Sequence, residues 1–260
     1  MKSAYFVAFS HLFIPIEMNM EKKSLLKSLC FLLLLATSLS ACSPQQIAGL
    51  LANVPLSPSE IASGLREALT QGVKKGLLSL MAQDGFFNNN LVRIPFPPET
   101  QKVAERLSDL GLKSEVDKFV KTLNAGASEA CKEAEPIFVN AIKSMTIQDA
   151  MGILKGKDDE ATQYLKRTTE ESLVSLFRPV IKRNLDKVNA TRLYGDLVSR
   201  YNKIPLVQKV NPDLDDYATR AAVDGVFKMI AQEEGKIRRD PVARTTELLK
   251  RVFAQAPQNQ

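Results

Sequence analysis

The sequence has a single histidine, no tryptophan and only three cysteines among its 260 residues. His11 and Cys30 both precede residue 42, so the chain beyond that position has no histidine at all. Catalytic triads, zinc sites and general bases that depend on an imidazole are therefore excluded for this part of the chain. Gly-rich phosphate loops, Ser-x-x-Lys elements and nucleophile elbows are also missing. The sequence thus predicts no cofactor and no metal site, and an enzyme would have to use carboxylates, lysine, tyrosine or a Ser–Lys pair.

Neither sign of charge dominates the chain, which has 35 Lys and Arg against 29 Asp and Glu. Residues 1–41 hold four of the cations and two of the anions, which leaves a net charge of +4 for the remainder. An excess this small, spread along the chain, is typical of a solvated surface of mixed sign and predicts no nucleic-acid partner. The hydrophobic content of 45% is that of an ordinary globular protein.

The segment up to Cys42 has the organisation of an export signal. Lys22, Lys23 and Lys27 lie before or at the start of an apolar run at 25–39, and the small residues Ser40 and Ala41 follow it. The run is shorter than the roughly 20 residues of a membrane-spanning helix, but it suits a signal peptide. This order of segments resembles the lipobox of bacterial lipoproteins, which implies acylation of the Cys42 thiol and cleavage before it. An ordinary cleaved signal with an incidental cysteine, or a plain membrane anchor, are the alternatives.

We therefore expect a signal peptide over residues 1–41. An additional apolar stretch lies before it, which a signal does not need, so the true start is expected at Met18 or Met20. Position 43 is serine. An aspartate there is associated with retention of Gram-negative lipoproteins in the inner membrane. The resemblance to this class thus implies a lipid-anchored protein of the outer membrane that faces the periplasm.

The rest of the chain is expected to be all-α. A capping-box pattern at Ser57-Pro58-Ser59-Glu60 begins a stretch in which apolar residues recur with a helical period. No segment alternates with a period of two. We predict a lipidated cysteine and tether at 42–56, a single compact domain of about eight helices at 57–253, and a disordered tail at 254–260.

Several details of these helices can be tested. The small residues Gly64, Ala68, Gly72 and Gly76 recur every four positions, which predicts close helix packing inside the domain; insertion between membrane helices is the alternative. One long helix is expected from Ser114 to Met145, with a bend at Pro136. The last helix is expected to be capped by Asp240-Pro241. Cys131 is expected to be a small buried hydrophobic residue.

Four stretches of the domain have a family resemblance. They are Asp84-Gly85-Phe86 to Arg93-Ile94-Pro95, Pro136-Ile137-Phe138-Val139 to Met145, Asp158-Asp159-Glu160-Ala161-Thr162, and Asp224-Gly225-Val226-Phe227 to Lys250. In order and spacing they resemble the bacterial family known as domain of unknown function 4197, over about residues 56–253. The resemblance implies an exported helical protein, often a lipoprotein, and supplies no reaction, cofactor or catalytic residue.

The loop at 84–98 is the first candidate binding site, because irregular connections longer than roughly 12–15 residues are often functional. Its amides, carboxylate, guanidinium and aromatic rings could bind a sugar chain or a peptide. The polar candidates are Asp84, Asn88, Asn89, Asn90 and Arg93. In the structural alternative, the phenylalanines fill the core and Arg93 forms an ion pair with Asp84.

Two charged clusters are further candidates. Asp158 and Asp159 could bind Ca²⁺ or act as general acids, although acidic residues in a first helical turn are already explained by capping of amides and by the helix dipole. The basic cluster Lys236, Arg238 and Arg239 could complement a helix C-terminus or contact anionic headgroups.

Two functions remain open at this point. The leading hypothesis is a non-enzymatic envelope lipoprotein, anchored in the membrane through Cys42, that binds an envelope protein or a glycan. The alternative is a carboxylate-dependent hydrolase of envelope polymers, with Asp84, Asp158 or Asp159 in its site. A hydrolase would need two carboxylates that flank one cleft, roughly 5–10 Å apart as in glycosidases.

Overall fold

The computed structural model describes residues 55–255, except 204, 207, 208 and 212. The predicted signal peptide at 1–41, the lipidation site Cys42, most of the tether and the end of the tail lie outside the described residues. Within the described part of the chain every regular element is helical and no strand is present. The prediction of an all-α, multi-helix domain is confirmed.

Nine α-helices, numbered here in chain order, make up the described part of the chain. They are α1 (Pro58–Met81), α2 (Gln101–Leu107), α3 (Lys113–Cys131), α4 (Glu135–Ser144), α5 (Ile147–Lys155), α6 (Glu160–Asp186), α7 (Ala190–Tyr201), α8 (Leu214–Arg239) and α9 (Glu247–Ala254). Short 3-10 turns lie at Pro98–Thr100 and Pro241–Ala243, and a π-helical turn at Ser108–Leu112 joins α2 to α3. Helix α8 packs against both α1 and α6, and α3 packs along α6.

Helix α1 begins as its sequence predicts. The hydroxyl of Ser57 accepts a hydrogen bond from the amide of Glu60, and the Glu60 carboxylate accepts one from the amide of Ser57. Its small residues face other helices of the domain. A Cβ added at Gly76 would lie 3.5 Å from the backbone of α8, and one added at Gly64 would lie 2.8 Å from Val252 of α9. The stripe therefore serves packing inside the domain, as predicted.

One continuous apolar core joins most of the helices. Phe138 of α4 and Phe177 of α6 are fully buried, and the ring of Phe138 meets that of Phe227 edge to face at a centroid distance of 6.0 Å. Burial of each such ring stabilises the fold by roughly 1.5–3 kcal/mol. Cys131 is 1% exposed and free, and burial raises the pKa of its thiol. Its predicted role as a small buried hydrophobic residue is confirmed.

The prediction of one bent helix from Ser114 to Met145 is wrong. Helix α3 ends at Cys131, a turn follows, and α4 begins as a separate helix at Glu135. Pro136 lies in the first turn of α4, where the missing amide of proline has no hydrogen-bond partner to lose. The proline thus starts a new helix instead of bending an existing one.

The expected cap of the last helix is also wrong. Asp240 accepts a hydrogen bond from the amide of Val242 and so caps the 3-10 turn, not α9. Helix α9 starts four residues beyond that turn, at Glu247, and the hydroxyl of Thr246 accepts a hydrogen bond from the amide of Leu249. The last helix is consequently shorter than the sequence suggested.

Candidate functional site

The loop at 84–98 is packed into the domain, as the structural interpretation predicts. Phe86 is fully buried, and Val92 and Ile94 are 4% and 1% exposed. The ring of Phe86 needs the space above Gly225 of α8, because a Cβ at that glycine would lie 2.7 Å from the ring. The glycine in α8 therefore allows the loop to insert its phenylalanine into the core.

A buried asparagine of α3 holds the loop in place. The side-chain oxygen of Asn124 accepts a hydrogen bond from the amide of Ile94 at 2.9 Å, and its nitrogen donates to the Ile94 carbonyl at 2.8 Å. The same nitrogen donates to the carbonyl of Val120. Asn124 is 1% exposed, so all of these bonds are shielded from water. Sequence reasoning missed this residue, although an asparagine on the apolar face of a helix was a visible signal.

The expected ion pair between Asp84 and Arg93 does not form. The Asp84 carboxylate pairs with Lys121 of α3 at 3.2 Å. Arg93 is exposed, and its guanidinium lies 4.3 Å from the centroid of the Phe87 ring. The Lys121 ammonium lies 5.9 Å from that same ring. The loop therefore contributes one carboxylate and one guanidinium to a charged surface that it shares with α3.

The three asparagines of the loop do not act together. The side chain of Asn89 accepts a hydrogen bond from the amide of Leu91 and donates one to the sulfur of Met229. Asn88 and Asn90 are exposed. The middle amide is thus used within the fold, whereas the two outer ones face solvent.

The second acidic candidates lie at the start of α6. Asp158 pairs with Arg239 at 3.1 Å, and the carboxylate of Asp159 accepts a hydrogen bond from Gln163. Neither aspartate bonds to the free amides of α6, although sequence reasoning assigned that role to them. The amides of Ala161 and Thr162 instead donate to a distant carboxylate, that of Glu234 in α8.

Glu234 is the centre of a buried polar network. Its carboxylate accepts three hydrogen bonds from α6 and pairs with Arg238 at 2.9 Å. The two side chains are 8% and 9% exposed. Arg238 also donates to the carbonyl of Ile153 near the end of α5. This ion pair therefore satisfies backbone groups at the start of α6 and near the end of α5. Sequence spacing alone could not reveal that arrangement.

The basic cluster at the end of α8 forms ion pairs with acidic residues of the same domain. Lys236, Arg238 and Arg239 each pair with a carboxylate, and their partners are Glu233, Glu234 and Asp158. These cations neutralise neighbouring acids.

The predicted site residues fall into two separate places. Phe86 brings the loop to Gly225, whereas Asp158 pairs with Arg239 at the end of the same helix. At 1.5 Å per residue these two positions on α8 are about 21 Å apart. Asp84 and Asp158 consequently do not flank one cleft.

The structure instead forms an open groove between α7 and α8, with a cavity volume of about 440 Å³. Its polar and aromatic lining consists of Tyr194, Asn211, Asp216, Tyr217, Arg220 and Asp224. The guanidinium of Arg220 donates to the Asp216 carboxylate at 3.0 Å, and this hydrogen bond raises the pKa of Arg220. The Tyr217 hydroxyl donates to the carbonyl of Pro95, so one residue of the groove contacts the end of the 84–98 loop.

Sequence reasoning missed this groove. Asp216, Arg220 and Asp224 repeat at intervals of four along α8, and Tyr217 lies three residues before Arg220, which is the spacing of one helix face. That periodic mixture of acid, tyrosine and arginine was the available signal. The pairing of this face with α7 is a tertiary contact, which spacing does not reveal.

None of the helices in the described part of the chain is both long and apolar enough to cross a bilayer. Among the same residues, no three His, Cys, Asp or Glu side chains are grouped in a way that could hold a metal ion.

Comparison with known sequences identifies one family. The family described as "Protein of unknown function (DUF4197)" matches residues 55–254. No curated protein and no solved structure matches the chain. The match covers all of the helices described above, from three residues before α1 to the last residue of α9. The chain belongs to the DUF4197 family of proteins of unknown function.

Proposed function

We propose that the protein is an envelope lipoprotein, anchored through acylated Cys42 in the outer membrane, whose helical domain binds a partner in the periplasm. The anchor is supported by the order of basic, apolar and small residues before Cys42. A tether over residues 43–56 reaches roughly 50 Å when extended, at about 3.5 Å per residue. The domain would therefore work within that distance of the membrane.

The groove between α7 and α8 supports a binding role most directly. The ring of Tyr217 is half-buried and offers an apolar face together with a polar hydroxyl, and sugars likewise present apolar ring faces and hydroxyl edges. Asn211, Arg220 and Asp224 are exposed beside the two tyrosines and offer both donors and acceptors. Because the groove is open along the surface, it suits a strand of a polymer, and we infer that its ligand is an envelope glycan.

The positions of the carboxylates favour binding over hydrolysis. Asp216 and Asp224 lie eight residues apart on α8, which corresponds to about 12 Å along the helix. That separation exceeds the roughly 5–10 Å between the paired carboxylates of glycosidases. Both aspartates also form ion pairs, with Arg220 and Lys228.

Binding to purified cell-wall glycan tests this proposal. The domain from Ser43 should bind isolated glycan strands, and Arg220→Ala should weaken binding by about tenfold, as expected for loss of one hydrogen-bonded charge. Arg183→Ala removes another exposed arginine, on α6, and serves as the matched control with unchanged affinity. Failure of the unaltered domain to bind, or equal loss in both variants, would contradict a glycan site in this groove.

A further inference from the structure

A second groove separates α3 from α6 on another part of the surface. The two helices approach most closely at Gly126, where an added Cβ would lie 3.3 Å from the Cβ of Asn184 and 3.5 Å from the Cα of Ile181. Next to this contact the helices leave a cavity of about 270 Å³. Lys118 and Lys121 line it from α3, and Lys187 lines it from the end of α6. We call this cavity the lysine groove.

The lysine groove has a local excess of positive charge. No carboxylate lines it, and neither Lys118 nor Lys187 has a described carboxylate within 4 Å. Among the three lysines of the groove, Lys121 pairs with a carboxylate, that of Asp84. Lysines just outside the groove behave differently: Lys113 pairs with Asp117, and Lys182 with Asp186, each one helical turn away. Three ammonium groups thus share one carboxylate at this site.

The 84–98 loop extends this positive surface. The guanidinium of Arg93 and the ammonium of Lys121 both lie over the ring of Phe87, at 4.3 and 5.9 Å from its centroid. Arg93 is exposed and has no described carboxylate within 4 Å. A fourth cation therefore stands beside the groove, and the phenylalanine fixes its position next to Lys121.

We propose that the lysine groove binds the phosphoryl headgroup of an anionic phospholipid and thereby holds the domain against the bilayer. Lysine ammonium groups bind phosphate as point charges, and clustered lysines near a membrane are attracted to anionic headgroups. A membrane headgroup is inferred as the ligand because the proposed anchor at Cys42 holds the domain near the bilayer. A short tether keeps the headgroups at high local concentration, so that even a site of low affinity is occupied. A distance of roughly 50 Å, at about 3.5 Å per residue, lets any face of the domain reach the surface.

Vesicle sedimentation with the unacylated domain tests this proposal separately from the anchor. The part from Ser43 contains the whole compact unit that begins at Pro55. It should bind phosphatidylcholine vesicles that contain phosphatidylglycerol, and it should not bind phosphatidylcholine alone. Each lysine at an anionic surface strengthens binding by about fivefold, so Lys118→Gln, Lys121→Gln and Lys187→Gln together should weaken it by about a hundredfold.

A second triple variant provides the control for net charge. Lys74, Lys75 and Lys143 are exposed on α1 and α4 and form no ion pair with a described carboxylate. Their replacement by glutamine changes the total charge equally and should leave vesicle binding within about twofold, since these positions lie outside the groove. The double variant Lys118→Gln and Lys187→Gln keeps the ion pair between Lys121 and Asp84 intact. Its vesicle binding should still be about twenty-fivefold weaker than that of the unaltered domain.

Three outcomes would overturn the proposal. Equal loss in both triple variants would show that overall charge, not the groove, attracts the vesicles. Absence of binding by the unaltered domain at physiological salt would remove the headgroup site, whatever the state of Cys42. Binding of inorganic phosphate by the unaltered domain that is stronger than its binding to the anionic vesicles would assign the groove to a soluble phosphate. Glycan binding in the α7–α8 groove would be unaffected by any of these results.

Discussion

The starts of α5 and α6 are capped in opposite ways. At α5, Thr146 and Asp149 are three residues apart, exposed, and exchange hydrogen bonds in a capping box. At α6, the amides of Ala161 and Thr162 are bonded by Glu234, which lies more than seventy residues away in α8 and is 8% exposed. A local cap can be recognised from spacing and is replaceable by water. The distant cap forms only when α6 and α8 have packed together. The first amides of α6 therefore find their hydrogen-bond acceptor only in the packed domain.

Replacement of Glu234 by alanine should have the largest effect. The substitution leaves Arg238 buried without its carboxylate and leaves two amides of α6 unsatisfied, so we expect a loss of about 3–5 kcal/mol in the free energy of unfolding. Urea denaturation followed by circular dichroism measures this value. Glu129→Ala removes an exposed acid of α3 that pairs with Lys132, and should cost less than about 1 kcal/mol. Similar costs for both would mean that the distant cap does not support the packing.

Asn124, like Glu234, forms hydrogen bonds to distant backbone groups, but its side chain is uncharged. Asn124→Ala removes both hydrogen bonds to Ile94, and the resulting unpaired backbone groups should cost about 1–3 kcal/mol. We also expect protease cleavage within 84–98, since the loop loses the side chain that holds it. Asn90→Ala, at an exposed position of the same loop, should melt like the unaltered protein. An intact loop and an unchanged midpoint in Asn124→Ala would contradict this role.

The local cap of α5 should have the smallest effect, and that effect should depend on pH. Hydrogen bonds from the Thr146 side chain and then its backbone lower the pKa of Asp149 below its ordinary value of 3.8. A lowered pKa adds stability above the unfolded-state value, and this part is lost as pH falls through the folded-state pKa.

Thr146→Ala should therefore cost about 1 kcal/mol at pH 7. This difference should shrink as pH falls from the ordinary aspartate value of 3.8 through the lower pKa that Asp149 has in the folded protein. Urea midpoints at a series of pH values measure the trend. A difference that stays constant down to the acid transition would show that the Asp149 carboxylate takes no part in the cap.

The same contrast between local and distant contacts explains what the sequence could predict. The helical class, the capping box at Ser57 and the packed phenylalanine of the loop depend on spacing or on side-chain hydrophobicity, and all are confirmed. Glu234 and Asn124 were missed because each bonds to backbone at least thirty residues away. The two grooves were missed for the same reason, since each is formed by faces of two helices.

Two local signals were also misjudged. Pro136 was expected to bend a helix, but a proline is equally suited to the first turn of a new one, and the turn after Cys131 decides between them. Arg93 was assigned to Asp84 on sequence proximity, whereas α3 places Lys121 closer to that carboxylate. Each of these residues is compatible with two structures. The adjacent turn decides the outcome for Pro136, and a lysine from another helix decides it for Arg93.

Fatty-acid labelling tests the proposed membrane anchor at Cys42. Cells that produce the full chain would be fed a fatty-acid probe, and the protein would be compared with its Cys42→Ser variant. We expect strong labelling of the unaltered protein, release of the variant from the membrane fraction, and no label on the variant. Equal labelling of both proteins, or no labelling of either, would contradict the lipoprotein assignment.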